Sequence, residues 1–197
     1  MKLLALLSSG IDSAAVCYLM IEKAEIGYMH FAFGEKSIDK AKKIVLKIAG
    51  KGTINTMEHT VLIEFVKNVM QEYGISERYT CIYCKLGMLK VAEKIAEKNG
   101  YDALLTGDNL GQVASQTIPN LFAEDTAVKI PVLRPLIGMD KENIVEIAKK
   151  ANTYEISIQS DEGCSAVPKY PVTKAKQEFI KEFSVEPLLP HVKILRV

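Results

Sequence analysis

Short apolar runs alternate with amphipathic helical stretches along most of the chain. This alternation predicts an α/β fold: a doubly wound, mostly parallel five-stranded sheet with helices on both faces. A second observation sharpens the reading. Residues 3–7 (LLALL) form an unbroken apolar run, as suits a strand covered on both sides, and the run stops abruptly at Ser8-Ser9-Gly10. The third is size: 197 residues with 48% hydrophobic content suit one domain with a full core, so residues 1–197 are read as a single domain.

Taken in order, the elements follow from residue chemistry. Asp12 and Ser13 are helix-capping types, and Ala14, Ala15, Val16, Cys17, Leu19 and Met20 continue a helix apolar on more than one side. Cys17 is read as packing. Residues 25–33 (EIGYMHFAF) form the second strand. Ile38, Ala41, Ile44, Val45 and Ile48 then recur at helical spacing, with Lys36, Asp39, Lys40, Lys42 and Lys43 assigned to a solvated face. Residues 53–58 make a third, weaker strand, and a helix lined by Leu62, Phe65, Val66, Val69, Met70 and Tyr73 ends at Gly74. A loop holding Cys81 and Cys84 leads into a helix with Leu89, Ala92, Ile95 and Ala96 on one face. The fourth and fifth strands are placed at 103–106 and 127–136, separated by the polar segment GDNLGQVASQT. Asp140 caps a helix carrying Ile144, Val145, Ile147 and Ala148; residues 151–172 are loop-like, and Thr173 starts a last amphipathic helix.

The first loop carries the chemistry. It lies between a strand end and a helix start, where free backbone N–H groups and the positive end of the helix dipole point outward. Gly10 removes a side chain there and the serines add donors, so the loop reads as a phosphate cradle. Neither G-x-x-x-x-G-K-[ST] nor G-x-G-x-x-G follows the strand, which excludes the usual P-loop and the dinucleotide fingerprint. A signal peptide is not expected, since the apolar run is only five residues and leads into Asp12 with no small-residue cleavage pattern. The 107–117 segment and the residues after His30 likewise follow strand ends. In such sheets, ligands bind beyond the strand carboxyl ends at the topological switch point, so the three loops are expected to share one site.

Composition bounds the partners. With 25 basic and 24 acidic side chains the net charge is +1, so no overall field favours nucleic acid or membrane. No apolar stretch approaches the roughly 18 residues of a membrane span, and a cytoplasmic protein is expected. Four cysteines, at 17, 81, 84 and 164, are too few for a disulfide scaffold. Cys81-x-x-Cys84 suits a zinc site, an iron–sulfur cluster or a redox dithiol. His30, His59 and His191 show no ligand spacing among themselves.

Ser8-Ser9-Gly10-Ile11-Asp12-Ser13 resembles the S-G-G-x-D-S loop of the pyrophosphate-loop ATPases, with Ser9 standing where that pattern has its first glycine. TGDNLGQVASQT at 106–117 and PVLRPLIGMDKENIVEIAKKANTYEISI at 131–158 resemble one branch, the tRNA 4-thiouridine synthetases (tRNA sulfurtransferases). This resemblance implies an adenine nucleotide alpha hydrolase-like fold. It also implies ATP contacts at Leu6, Leu7, Ser8, Ser9, Gly10, Ser13, His30, Phe31, Lys85, Gly107 and Gln116, with Asp12 as the acid beside Mg²⁺. Leu86 stands where the family often has an arginine. Cys81, Cys84 and Cys164 match the branch in which three cysteines hold an iron–sulfur cluster of the 4Fe-4S type, one iron being left open to sulfur.

The implied activity is ATP-dependent sulfur insertion into a tRNA uridine: adenylation of the base, release of pyrophosphate, then thiolation with loss of AMP. Relatives place RNA-binding domains, including a THUMP module, ahead of the ATPase domain, whereas here the loop begins at residue 8. The expectation is that tRNA binding is borrowed from a separate RNA-binding protein, supplied by Lys169, Lys174, Lys176 and Lys181, or replaced by another substrate. A sulfur donor is required, and a homodimer is compatible with the sequence. Two rivals remain: a non-catalytic nucleotide-binding or redox-responsive subunit, and a pyrophosphate-loop ligase using another nucleophile.

Overall fold

A computed structural model of the chain describes residues 1–111 and 116–197. Gln112, Val113, Ala114 and Ser115 of the second motif lie outside the described residues. The first half alternates as expected: β1 (Lys2–Leu6), α1 (Ile11–Met20), β2 (Glu25–Ala32), α2 (Glu35–Ala49), β3 (Thr53–Glu58) and α3 (His59–Glu72). A 3-10 turn at Glu77–Tyr79 then runs directly into α4 (Thr80–Asn99), so both CxxC cysteines lie in the first helical turns and not in a preceding loop. There follow β4 (Ala103–Leu105), α5 (Ile118–Asp125), β5 (Val132–Leu133), α6 (Lys141–Lys150), α7 (Tyr154–Ser157) and β6 (Lys193–Arg196).

Among the described residues the sheet has six strands in the order β5-β4-β1-β2-β3-β6, all parallel except β6, which runs antiparallel to β3. The sixth strand is an addition to the five expected. Its burial is mostly shallow, Ile194 being 66% exposed, so it carries no buried apolar run that would announce it. The fifth strand is far shorter than 127–136, and in place of an amphipathic helix from Thr173 there are two 3-10 segments, Gln177–Phe179 and Glu186–His191. α5 follows the polar 107–117 segment, in a stretch before the fifth strand to which the sequence assigns no element.

The pleat divides the core in two. Leu3, Ala5 and Leu7 of the first strand and its exit pack with Ala14, Val16, Cys17, Ile44 and Val45 on one face. Leu4, Met29, Phe31 and Met57 pack against α3 and α4 on the other. α1 sits under α6, and Cys17 is fully buried, with burial pushing its thiol up to about 12, as a packing role requires. Lys40 departs from its assigned solvated face and is buried. Among the described residues no helix is long and apolar enough to cross a membrane.

Candidate nucleotide site

β1 is flanked by β2 on one side and β4 on the other. The chain winds outward through β2 and β3, then crosses back to β4 and β5, so the carboxyl end of β1 is the switch point where such sheets bind ligands. Leu7 continues the strand by donating to Met29 O at 2.8 Å. The serines then knit the loop together: Ser8 N–H donates to Ser13 Oγ at 3.0 Å, and the Ser13 hydroxyl donates to Ser8 O at 3.0 Å. Gly10 N–H donates to Ser8 Oγ at 3.2 Å. Gly10 itself, and not Asp12 or Ser13, is the N-cap of α1, with φ −87° and no side-chain cap bond. A Cβ on Gly10 would meet nothing closer than Ser8 Oγ at 3.4 Å. The fold therefore does not demand glycine there, and the space it leaves faces outward from the helix start.

A cavity of about 260 Å³ opens beside this loop, lined by residues that include Leu6, Ser8, Asp12, Ser13, Lys85 and Gly107. Gly107, just past β4, lies so close to the first turn of α1 that a Cβ would sit 2.8 Å from the Asp12 carbonyl carbon and from Ser13 N. Only glycine lets the two strand-end loops meet this closely. Asp12, partly exposed, is paired with Lys141 Nζ at 2.5 Å, and Lys141 is brought there by the start of α6.

The inner wall of the cavity is charged. Lys85 Nζ donates to Asp108 Oδ1 at 2.7 Å and lies 3.5 Å from Glu124 Oε2. Asp108 Oδ2 also accepts from Thr106 Oγ1 at 2.8 Å and from Arg134 Nε at 3.2 Å. Burial opposes ionisation of Asp108, but Lys85, Thr106 and Arg134 outweigh it and hold the carboxyl below its ordinary range. Glu124 differs. Burial, aided by the Asp108 charge and only partly offset by Lys85 and Arg134, leaves it raised to about 7; among the described residues its Oε1 has no hydrogen-bond partner. Lys85 is disfavoured by burial yet held above its ordinary value by Asp108 and Glu124, so it stays cationic.

Of the expected nucleotide residues, Leu6, Ser8, Ser13, Lys85, Gly107 and Gln116 line the cavity with Asp12. Leu7, His30 and Phe31 are buried and, with Ser9 and Gly10, are not among the residues lining the cavity. His30 locks strand ends together, its Nδ1 within 2.8 Å of Leu7 O and its Nε2 3.3 Å from Ser37 Oγ. Burial lowers its pKa. Ser9 donates to Asp161 Oδ2. Leu86, the position at which the resemblance suggests an arginine, is fully buried and packs in the core.

The cysteines converge without closing on a site. Cys81 is half-buried, Cys84 buried and Cys164 exposed. Burial raises the thiol pKa of both Cys81 and Cys84, and Cys164 is near enough for its charge to raise both further. Cys84 Sγ lies 3.2 Å from His59 Nε2, whose pKa burial lowers to about 4. Among the described residues no group of three or more His, Cys, Asp or Glu side chains is placed to hold a metal ion. Three soft thiol donors from two segments are nevertheless the donor chemistry of an iron–sulfur cluster. Lys169, Lys174 and Lys176 are exposed on the segment that follows, with Lys181 half-buried.

Sequence reasoning missed Lys141, Asp161, Lys40, Asp108, Glu124, Arg134 and His59. Asp108, Arg134 and Lys141 stood inside the quoted motifs, and an isolated charge within an otherwise apolar stretch (VLRPLIG) was the available signal for Arg134. Residues 1–188 match the family model described as Thiamine biosynthesis protein (ThiI). The chain is 42% identical over 191 residues to a probable tRNA sulfurtransferase of Methanocaldococcus jannaschii, covering 92% of this chain and 48% of the relative. It is 40% identical over 196 residues to another from Methanothermobacter thermautotrophicus, covering 93% and 48%. The chain thus spans about half the length of the curated relatives it matches. It also superimposes, with TM-score 0.87 and 32% identity, on a 4-thiouridine synthetase–RNA complex with bound ATP, covering 100% of this chain and 55% of that one. A predicted tRNA methyltransferase subunit from M. jannaschii, 18% identical with TM-score 0.53, shares the fold alone.

Proposed function

The chain belongs to the thiamine biosynthesis protein (ThiI) family, and from that premise we propose that it uses ATP to activate a tRNA uridine for sulfur insertion. The observation that carries this reading is the cavity where the serine loop, Gly107 and Lys85 meet at the switch point of the sheet. Its likeness to an ATP-bound 4-thiouridine synthetase supports it.

In this reading uracil O4 attacks the α-phosphorus of ATP and pyrophosphate leaves. A sulfur nucleophile then attacks C4 and expels AMP with the former O4. Free N–H groups at the start of α1, with Ser8, Ser9, Gly10 and Ser13, hold the phosphates and stabilise the charge that develops as the bond breaks. Leu6, Leu7, His30 and Phe31 present backbone groups to the nucleoside, and Gln116 adds a polar contact at the cavity wall. Asp12 would hold Mg²⁺ together with phosphate oxygens, as a single carboxylate suits that ion. Lys141, released from Asp12, and Lys85 offset phosphate charge.

At the sulfur end Cys81, Cys84 and Cys164 would hold a 4Fe-4S cluster, which when bound supplies an open iron for sulfur. Cys164 is the exposed member, and it would carry persulfide sulfur if the thiols act alone. The partners this reading calls for are tRNA and a sulfur donor, and the setting it proposes is the cytoplasm. Product analysis with acceptor tRNA and labelled ATP tests the reading. AMP and pyrophosphate are expected; ADP and phosphate would contradict it.

A further inference from the structure

Ser9, the departure from the family loop pattern, has a partner 152 residues away in Asp161. Asp161 is also held by Lys40, whose buried ammonium reaches three acceptors: Gln159 O at 2.7 Å, Ser157 O at 3.1 Å and Asp161 Oδ2 at 3.1 Å. Those three bonds use all the donors an ammonium has. Gly34 completes the clamp. Its φ is +86°, and a Cβ there would lie 2.8 Å from Glu162 Oε2, so the segment packs directly on the start of α2. Beyond Asp161, the next hydrogen bonds among the described residues are at Tyr170 O, from Arg78 Nε at 3.0 Å, and Val172 N–H, to Arg78 O at 3.0 Å. Cys164 lies inside this span, three residues from its upstream anchor.

We propose that Asp161 is a positioning residue that ties the Cys164 segment to the phosphate loop and releases it when nucleotide fills the loop. This rests on the reading of that loop as the ATP site. The Ser9 hydroxyl has one proton, which it gives either to Asp161 or to a phosphate oxygen. The carboxylate beside the loop also repels a bound polyphosphate. Nucleotide binding and the Ser9–Asp161 bond therefore compete, and by reciprocity whatever loosens the bond strengthens nucleotide binding. Lys40 keeps its carbonyl contacts and marks the hinge. Downstream of it, Cys164 becomes free to move relative to Cys81 and Cys84 at the stage when an activated base requires sulfur.

Lys169 gives the experiment its handle, since it is exposed within the span and is a trypsin site. Short trypsin pulses on the full chain, with and without a non-hydrolysable ATP analogue, report opening through the rate of cleavage after Lys169. In wild type the analogue should speed that cut by about tenfold or more, the scale set by losing one hydrogen bond to a charged group. Asp161→Asn should be cut at the fast rate in either state and bind the analogue several-fold more tightly by calorimetry. Ser9→Ala, which removes only the hydroxyl donor, should also lose the nucleotide dependence. Wild type that binds the analogue yet is cut at one rate in both states overturns the proposal and leaves the loop assignment standing. Wild type that fails to bind the analogue overturns the loop assignment and the proposal with it.

Discussion

The two ends of the candidate site are built differently. At the nucleotide end, Ser8, Gly10 and Ser13 are fixed by mutual hydrogen bonds, Gly107 is locked against α1, and Asp108 has three partners. All of this sits on the central strands of the sheet. At the cysteine end, Cys81 and Cys84 ride on α4, but Cys164 lies on a span anchored at Asp161 and Tyr170 with no regular structure between. A phosphate site works by presenting donors already in place, because reorganising them during the reaction would cost the stabilisation they provide. A sulfur-delivering group must instead approach after the base is activated, and a loosely anchored span allows that.

If the nucleotide end is preorganised, its central electrostatic group should matter most. Asp12→Ala should leave the fold intact and lower AMP formation about a hundredfold or more, in line with loss of a principal charge at the reacting phosphate. Circular dichroism and steady-state AMP release measure the two sides of that statement. Full activity in the variant would remove Asp12 from the site and leave its pairing with Lys141 as surface electrostatics.

Preorganisation also has a stability cost that pH exposes. Glu124 has a carboxyl that burial raises from 4.5 to about 7. As pH rises through that interval the unfolded chain gives up a proton that the folded chain keeps, so folding stability falls, and below it the two states bind the proton alike. The loss should reach about 1–3 kcal/mol by pH 8, and Glu124→Gln, which cannot ionise, should lack it. Urea midpoints of both proteins at pH 5 and pH 8 check this; parallel slopes would mean Glu124 is ionised without penalty.

The same division governs what the sequence discloses. The phosphate loop was legible because its parts are contiguous: a strand, three small residues and a helix start. The parallel core strands were legible because residues such as Leu3, Leu4, Leu104 and Leu105 are buried on both faces and leave unbroken apolar runs. Lys141 and Asp161 were not, since each acquires its role from a partner more than 120 residues away. Lys40 was assigned to solvent because helical periodicity says which face is polar, not that a returning backbone segment will cover it. β6 escaped for a related reason. An edge strand with one neighbour is specified by pairing with Thr53–Thr56 and not by burial of its own side chains.

The central claim is that the nucleotide end stands complete without the cysteine end. Calorimetric titration of ATP into wild type and into Cys81→Ser/Cys84→Ser/Cys164→Ser tests it most directly, with thiolated tRNA measured alongside. The account predicts ATP affinities equal within about twofold, as for independent sites, and no thiolation by the triple variant. Loss of ATP binding together with the cysteines would show that the two ends form one unit and would contradict it.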